Sequence, residues 1–203
     1  MILSRISRPL AALFAAGVLL AGCTAAPPAP TDTFYRLDAA EGVMPVLGQP
    51  QPRVVEVTRF LAAGVLADRP VAHTSTGRVL EQYAYDFWIE TPPVLLQQQL
   101  VEYLRAANVF TQVVTPELRA RTDLTIRGRI LRFEHLLPPS GAAGVAVSIE
   151  LSLIDTATDD VKLLGTYVET VPADNTSVLA ATSAMREAVA RIYARFVADI
   201  TKT

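Results

Sequence analysis

From Val145 to Leu153 every second residue is a branched aliphatic (Val145, Val147, Ile149, Leu151, Leu153), and the residues between them are small or polar. A period of two over nine residues fits a strand with one face in a core and does not fit a helix. This segment limits the fold more than any other. A long half-buried strand needs partners of similar length on both edges and a cover for its apolar face. The sequence supplies both. Asp155 to Asp160 reads as a turn, and Val161 to Val171 as the returning strand, with Leu163 and Tyr167 on one face. Upstream, Asp123 to Glu134 reads as a third long strand. Leu124, Ile126 and Ile130 share one of its faces, while Leu131 and Phe133 break the phase, so a bulge is expected near Gly128.

Two helical periods provide the cover. Thr91-Pro92-Pro93 combines a capping hydroxyl with proline at the first helical position. The helix that follows runs to about Ala107, with Leu96, Leu100, Leu104 and Ala107 on its apolar stripe and Gln97, Gln98 and Glu102 off it. A second helix is expected from about Thr176 to Ile200, with Val178, Ala181, Met185, Ala188, Ile192 and Phe196 facing inward. Shorter strands are expected at Thr33 to Leu37, Arg53 to Phe60 and Val109 to Thr115. Arg69 to Thr74 and Arg78 to Trp88 should form a hairpin around Ser75 to Gly77. The fold class is therefore α+β: a single domain over residues 33–203, with a mostly antiparallel sheet covered by two helices.

The N-terminus has a different character. Arg5 and Arg8 precede an apolar run from Leu10 to Ala21, and Leu20-Ala21-Gly22-Cys23 follows. A basic start, a short apolar stretch and small residues at a cut site make a secretory signal. Twelve apolar residues are too few for a transmembrane helix, which needs about 20. The last four residues resemble the bacterial lipobox. By that resemblance residues 1–22 are a signal peptide, and Cys23 is the nucleophile that takes up a diacylglycerol before its freed amine is acylated. Cys23 is also the chain's one cysteine, so no internal disulfide can form. Residues 23–32 carry three prolines and read as a short extended tether that lifts the domain off the bilayer. Position 24 is Thr. In enteric lipoproteins Asp there favours inner-membrane retention, so the same resemblance implies the outer membrane.

The residues point away from catalysis. Losing Arg5 and Arg8 with the signal takes the formal charge from −2 to −4, and a mildly acidic chain has no footprint for nucleic acid. His73 and His135 have no partner at ligand spacing, so no metal is assigned. Asp155, Asp159 and Asp160 read as turn-capping acids. Glu81, Asp86 and Glu90 flank Trp88 and would serve as acid and base only if folding brought them together. Tyr83, Tyr85 and Trp88 would suit an interface if exposed, but Trp88 is expected in the core. The loop Pro138 to Gly144 is small and apolar, a plain connector or a contact with a partner or membrane. No catalytic, metal or cofactor residue is assigned, and an anchored hydrolase would need a cluster that is missing.

Several segments together resemble the ABC-type transport auxiliary lipoprotein family. They are Phe34-Tyr35-Arg36-Leu37, Val54 to Val57 followed by Phe60-Leu61 and Asp68-Arg69-Pro70, Tyr83 to Trp88 ahead of Thr91-Pro92-Pro93, and Gly165-Thr166-Tyr167 before an Ala-rich terminal helix. The resemblance spans Phe34 to Ile200. It departs after Trp88, where Ile89-Glu90-Thr91 replaces the family's small-acidic pair. It implies a non-enzymatic subunit, held to the membrane by acyl chains. Its partners would be a mammalian-cell-entry (MCE) type periplasmic protein and the permease and ATPase of the same system, with homo-oligomers possible. The other reading is an outer-membrane assembly lipoprotein with no link to an ATPase.

Overall fold

A computed structural model describes residues 30–46 and 48–202. The signal peptide, Cys23 and most of the tether expected from the sequence lie outside the described residues. The folded unit runs from Asp32 to Thr203. Its elements are β1 (Thr33–Tyr35), β2 (Gln51–Val57), β3 (Pro70–Thr74), β4 (Glu81–Trp88), α1 (Pro92–Ala106), β5 (Phe110–Val114), β6 (Leu124–Leu136), β7 (Gly144–Asp155), β8 (Val161–Pro172) and α2 (Val178–Ile200). Short 3-10 turns occupy Gly64–Ala67 and Pro116–Leu118. The class is α+β, one mixed sheet with two helices.

The three long strands form an antiparallel block, with β6 paired to β7 and β7 to β8 along almost their full lengths. On its other edge β6 is shared. Its first residues pair with β2 (Val55 opposite Leu124) and its last with β3 (His73 opposite His135), both parallel. β5 then lies parallel beside β2, β4 antiparallel beside β3, and β1 parallel beside β4. Most registered residues are antiparallel, while four of the seven strand pairings are parallel. The sheet thus forks along β6.

The fork is closed by the segment after β2. Leu61 bridges to Arg129: its N–H donates to the Gly128 carbonyl and its carbonyl accepts from Ile130 N–H, both at 2.8 Å. The irregularity expected near Gly128 lies further along. Register shifts between Ile130 and Arg132, leaving Leu131 unpaired and 44% exposed. That extra residue returns Phe133 to the core side, which accounts for the broken phase in the sequence. Gly128 instead makes room for a close approach, because the ring of Phe60 lies against its backbone.

Both helices pack on the sheet, and on each other where the Tyr193 hydroxyl donates to the Leu96 carbonyl at 2.8 Å. Ala181, Met185, Ala188, Ile192 and Phe196 are fully buried. Each large apolar side chain among them stabilises the fold by about 1.5–3 kcal/mol relative to exposure. The Ser177 hydroxyl caps α2 by accepting from Ala180 N–H. Thr91 stands at the N-cap of α1, but its hydroxyl accepts from Arg59 instead of the helix. Gln97, expected off the apolar stripe, is buried, and its amide donates to the Val57 carbonyl at 2.9 Å. The hairpin of β3 and β4 forms, with Thr74 Oγ1 accepting from Gly77 N–H at the turn and β4 starting at Glu81.

Candidate functional site

Three of the segments that carried the family resemblance, Phe34 to Leu37, Asp68 to Pro70 and Tyr83 to Trp88, converge in the corner formed by β1, β3 and β4. Trp88, at the end of β4, is fully buried with its ring centroid 5.1 Å from that of Phe133. Arg69 holds this end in place, donating to the Trp88 carbonyl at 3.2 Å and the Ile89 carbonyl at 3.0 Å. Its guanidinium also lies 5.2 Å from the centre of the Phe34 ring. The Tyr35 hydroxyl donates to Asp86 at 2.7 Å; burial and that carboxylate push its pKa up to about 12. Leu37 is buried beneath. These motif residues support one another, so their spacing reflects a packing constraint.

The carboxylates around Trp88 are dispersed. Glu81 approaches His73 at 3.8 Å, Asp86 serves Tyr35, and Glu90 is exposed beyond the end of β4. Asp155, Asp159 and Asp160 act as turn residues. Asp155 accepts from Ala157 N–H and Thr158 N–H, Asp159 sits at φ 59°, and Asp160 accepts from the Thr158 hydroxyl and Lys162. Tyr83 is half-buried and Tyr85 45% exposed.

Folding does bring the two histidines together, which the sequence did not signal. His73 and His135 are register partners on β3 and β6, and the ring of Tyr83 from β4 lies tilted against His73 with ring centroids 4.4 Å apart. The Tyr83 hydroxyl is 2.9 Å from His135 Nδ1. His135 is fully buried, and its Nε2 has no hydrogen-bond partner among the described residues. Burial, and then the nearby His73, push the His135 imidazole below its ordinary pKa, so it is neutral at pH 7. Among the described residues no three His, Cys, Asp or Glu side chains are placed to hold a metal.

Beyond His135 the sheet ends in a cleft of about 370 Å³, lined chiefly by apolar atoms of Leu136, Pro138, Ala143, Val171 and Pro172, with Thr74 at its margin. The loop Pro138 to Gly144 forms one wall. The cleft holds no charged side chain and no nucleophile paired with a base. No helix among the described residues is long and apolar enough to cross a membrane.

Solved structures share this architecture. The crystal structure of protein XCC0632 from Xanthomonas campestris, of family DUF330, superposes with a TM-score of 0.73 at 17% identity, over 84% of this chain and 99% of that one. A second crystal structure, of an uncharacterised protein, gives a TM-score of 0.60 at 15% identity over 85% and 98%. At these identities the likeness establishes the fold. No curated protein matches the chain. The family model described as "ABC-type transport auxiliary lipoprotein component" matches residues 35–197, nearly the whole folded unit, and the chain therefore belongs to that family.

Proposed function

We propose that this protein is a periplasmic lipoprotein, lipidated at Cys23 and held in the outer membrane. There it serves as auxiliary subunit of an MCE-associated ABC system that moves lipid or another hydrophobic solute across the envelope. It acts through protein contacts, as a tethered docking domain. The observation that carries this reading is the family match over residues 35–197, which covers α1, all the long strands and most of α2. The lipobox at Leu20 to Cys23 and Thr24 after it support the anchor and its membrane. Two or more acyl chains hold a protein firmly where one gives only marginal binding. Energy for transport would come from the partner ATPase.

Genetic interaction tests the link to transport. In its native cell, loss of this protein, loss of the partner ATPase and loss of both are expected to give the same envelope permeability defect. A double mutant clearly sicker than either single mutant would separate the two and favour the assembly-lipoprotein reading.

A further inference from the structure

The strand directions gather one end of the domain. β3 ends there at Thr74 and β6 at Leu136, β7 starts at Gly144, β8 ends at Pro172, and β4 and α2 start at Glu81 and Val178. β1 runs parallel to β4, so the chain leading into Thr33 comes from the side on which β4 begins. Three loops close this end: 75–80, 137–143 and 173–177. Their ionisable residues are Arg78 and Asp174, with exposed Glu81 following at the start of β4, and the 137–143 loop, Leu-Pro-Pro-Ser-Gly-Ala-Ala, has none. Val79 is 61% exposed, Leu80 36% and Leu179, in the first turn of α2, 66%. The apolar cleft opens between the first two loops. The opposite end differs. It carries Glu117, Arg119, Arg121 and Asp123 before β6, Asp155 at the end of β7, and Asp159 and Asp160 between β7 and β8.

We propose that the charge-poor end is the membrane-contacting face of the domain, with loops 75–80 and 137–143 seated in the headgroup region of a phospholipid bilayer. The proposal rests on the reading of Cys23 as the lipid anchor. Nine residues lie between Cys23 and Thr33, ten residue steps along the chain. At about 3.1 Å per residue for a proline-rich segment they reach about 31 Å, which bounds the distance of Thr33 from the bilayer without fixing it. α2, of 23 residues, is about 35 Å long and runs from this end to the opposite one, where Ile200 lies beside Leu124 and Asp155. Thr33 lies opposite Asp86, five residues past Glu81 and so about 17 Å from the charge-poor end at about 3.3 Å per residue, within reach of the tether. The far end would reach the bilayer only with the tether turned back past β1, because the chain enters Thr33 from the side on which β4 begins.

Chemistry selects the same end. A loop of proline, glycine, serine and alanine gives up little hydration on entering the interface, and Val79 and Leu80 gain by it. The Asp155 to Asp160 turn would lose charge hydration and meet repulsion from anionic lipid. Tethering also holds the face at an effective concentration on the order of mM, so a weak intrinsic contact suffices.

Depth-dependent quenching tests this. Ser140→Cys, Val79→Cys and, at the opposite end, Thr158→Cys are made in the full mature protein, whose Cys23 thiol is blocked by its lipid. Each is labelled with an NBD fluorophore and reconstituted in phosphatidylethanolamine–phosphatidylglycerol vesicles carrying a headgroup nitroxide. At positions 140 and 79 quenching at least twofold stronger than at 158, with blue-shifted emission, is expected. Equal quenching at the three positions, or stronger quenching at 158, overturns the proposal. A blue shift at 140 without vesicles that rises with protein concentration assigns the loops to a second copy and also overturns it. Intact mass, measured first, tests the anchor separately. If Cys23 carries no acyl chain, that reading fails alone. The same comparison then runs on vesicles whose nickel-chelating lipid holds an N-terminal hexahistidine, with Cys23→Ser, and decides the orientation.

Discussion

Replacing Trp88 with alanine is expected to lower the unfolding free energy by about 3–5 kcal/mol, the range for deleting a large buried aromatic. The indole is fully buried against Phe133. The surrounding backbone is poorly placed to collapse into the space. Trp88 N–H donates to the Arg69 carbonyl at 2.8 Å, Arg69 holds the Trp88 carbonyl, and Ile89 N–H donates to the Tyr35 carbonyl. A cavity framed by three strands therefore stays open, and its cost adds to the lost transfer energy. With total stabilities of about 5–15 kcal/mol, that is a large share. Urea unfolding followed by circular dichroism measures it. A loss below about 1 kcal/mol would mean that Trp88 does not hold the corner together and would leave it an interface aromatic.

Gly128→Ala is expected to cost about 1–3 kcal/mol, the usual range for overpacking a core. A Cβ at 128 would lie 2.6 Å from three ring atoms of Phe60, well inside contact distance. Phe60 is 2% exposed, and its backbone is fixed on both sides, by its own N–H to the Pro93 carbonyl and by the Leu61 bridge to β6. The ring has no easy way out. Phe60→Ala alone should cost about 3–5 kcal/mol through the opposite fault, a cavity. Because the added methyl fills part of the space the ring leaves, the double variant should cost less than the sum of the two by about 0.5–3 kcal/mol. Strict additivity in the same urea titrations would contradict the account of how the fork is sealed.

These two positions also mark where the sequence is readable. Trp88 is expected in the core, and the three long strands, the hairpin turn at Gly77 and both helices follow from periods and turn chemistry close along the chain. In the sequence Gly128 signals only a bulge. Its role depends on Phe60, far away in sequence, and alternation identifies a strand without naming its neighbour. The same holds for the parallel pairings of β6 with β2 and β3, which no tight turn dictates. Gln97 looks like a surface residue because a helical period counts polarity. It is buried because one carbonyl, Val57 O, is placed to receive its amide. His73, Tyr83 and His135 are ordinary residues singly, and become a cluster only when β3 sits between β4 and β6.

The candidate site is legible in a different way. Arg69, Tyr35 and Trp88 matter as a pattern of spacing, and the structure supplies the reason: they brace one corner. The apolar loop at 138–144 stands out by composition alone. The proposed meaning depends on the direction from which the N-terminal chain enters β1, and only the parallel pairing of β1 with β4 gives that.

The central claim, a lipid-anchored docking subunit of an ABC system, meets its most direct test in affinity capture of the lipidated protein from envelope extracts. Cys23→Ala serves as the control, and mass spectrometry identifies what is bound. The account predicts recovery of an MCE-type protein together with a permease or ATPase, reduced at least severalfold when Cys23 is replaced. Recovery of barrel-assembly proteins without any transporter subunit would contradict it.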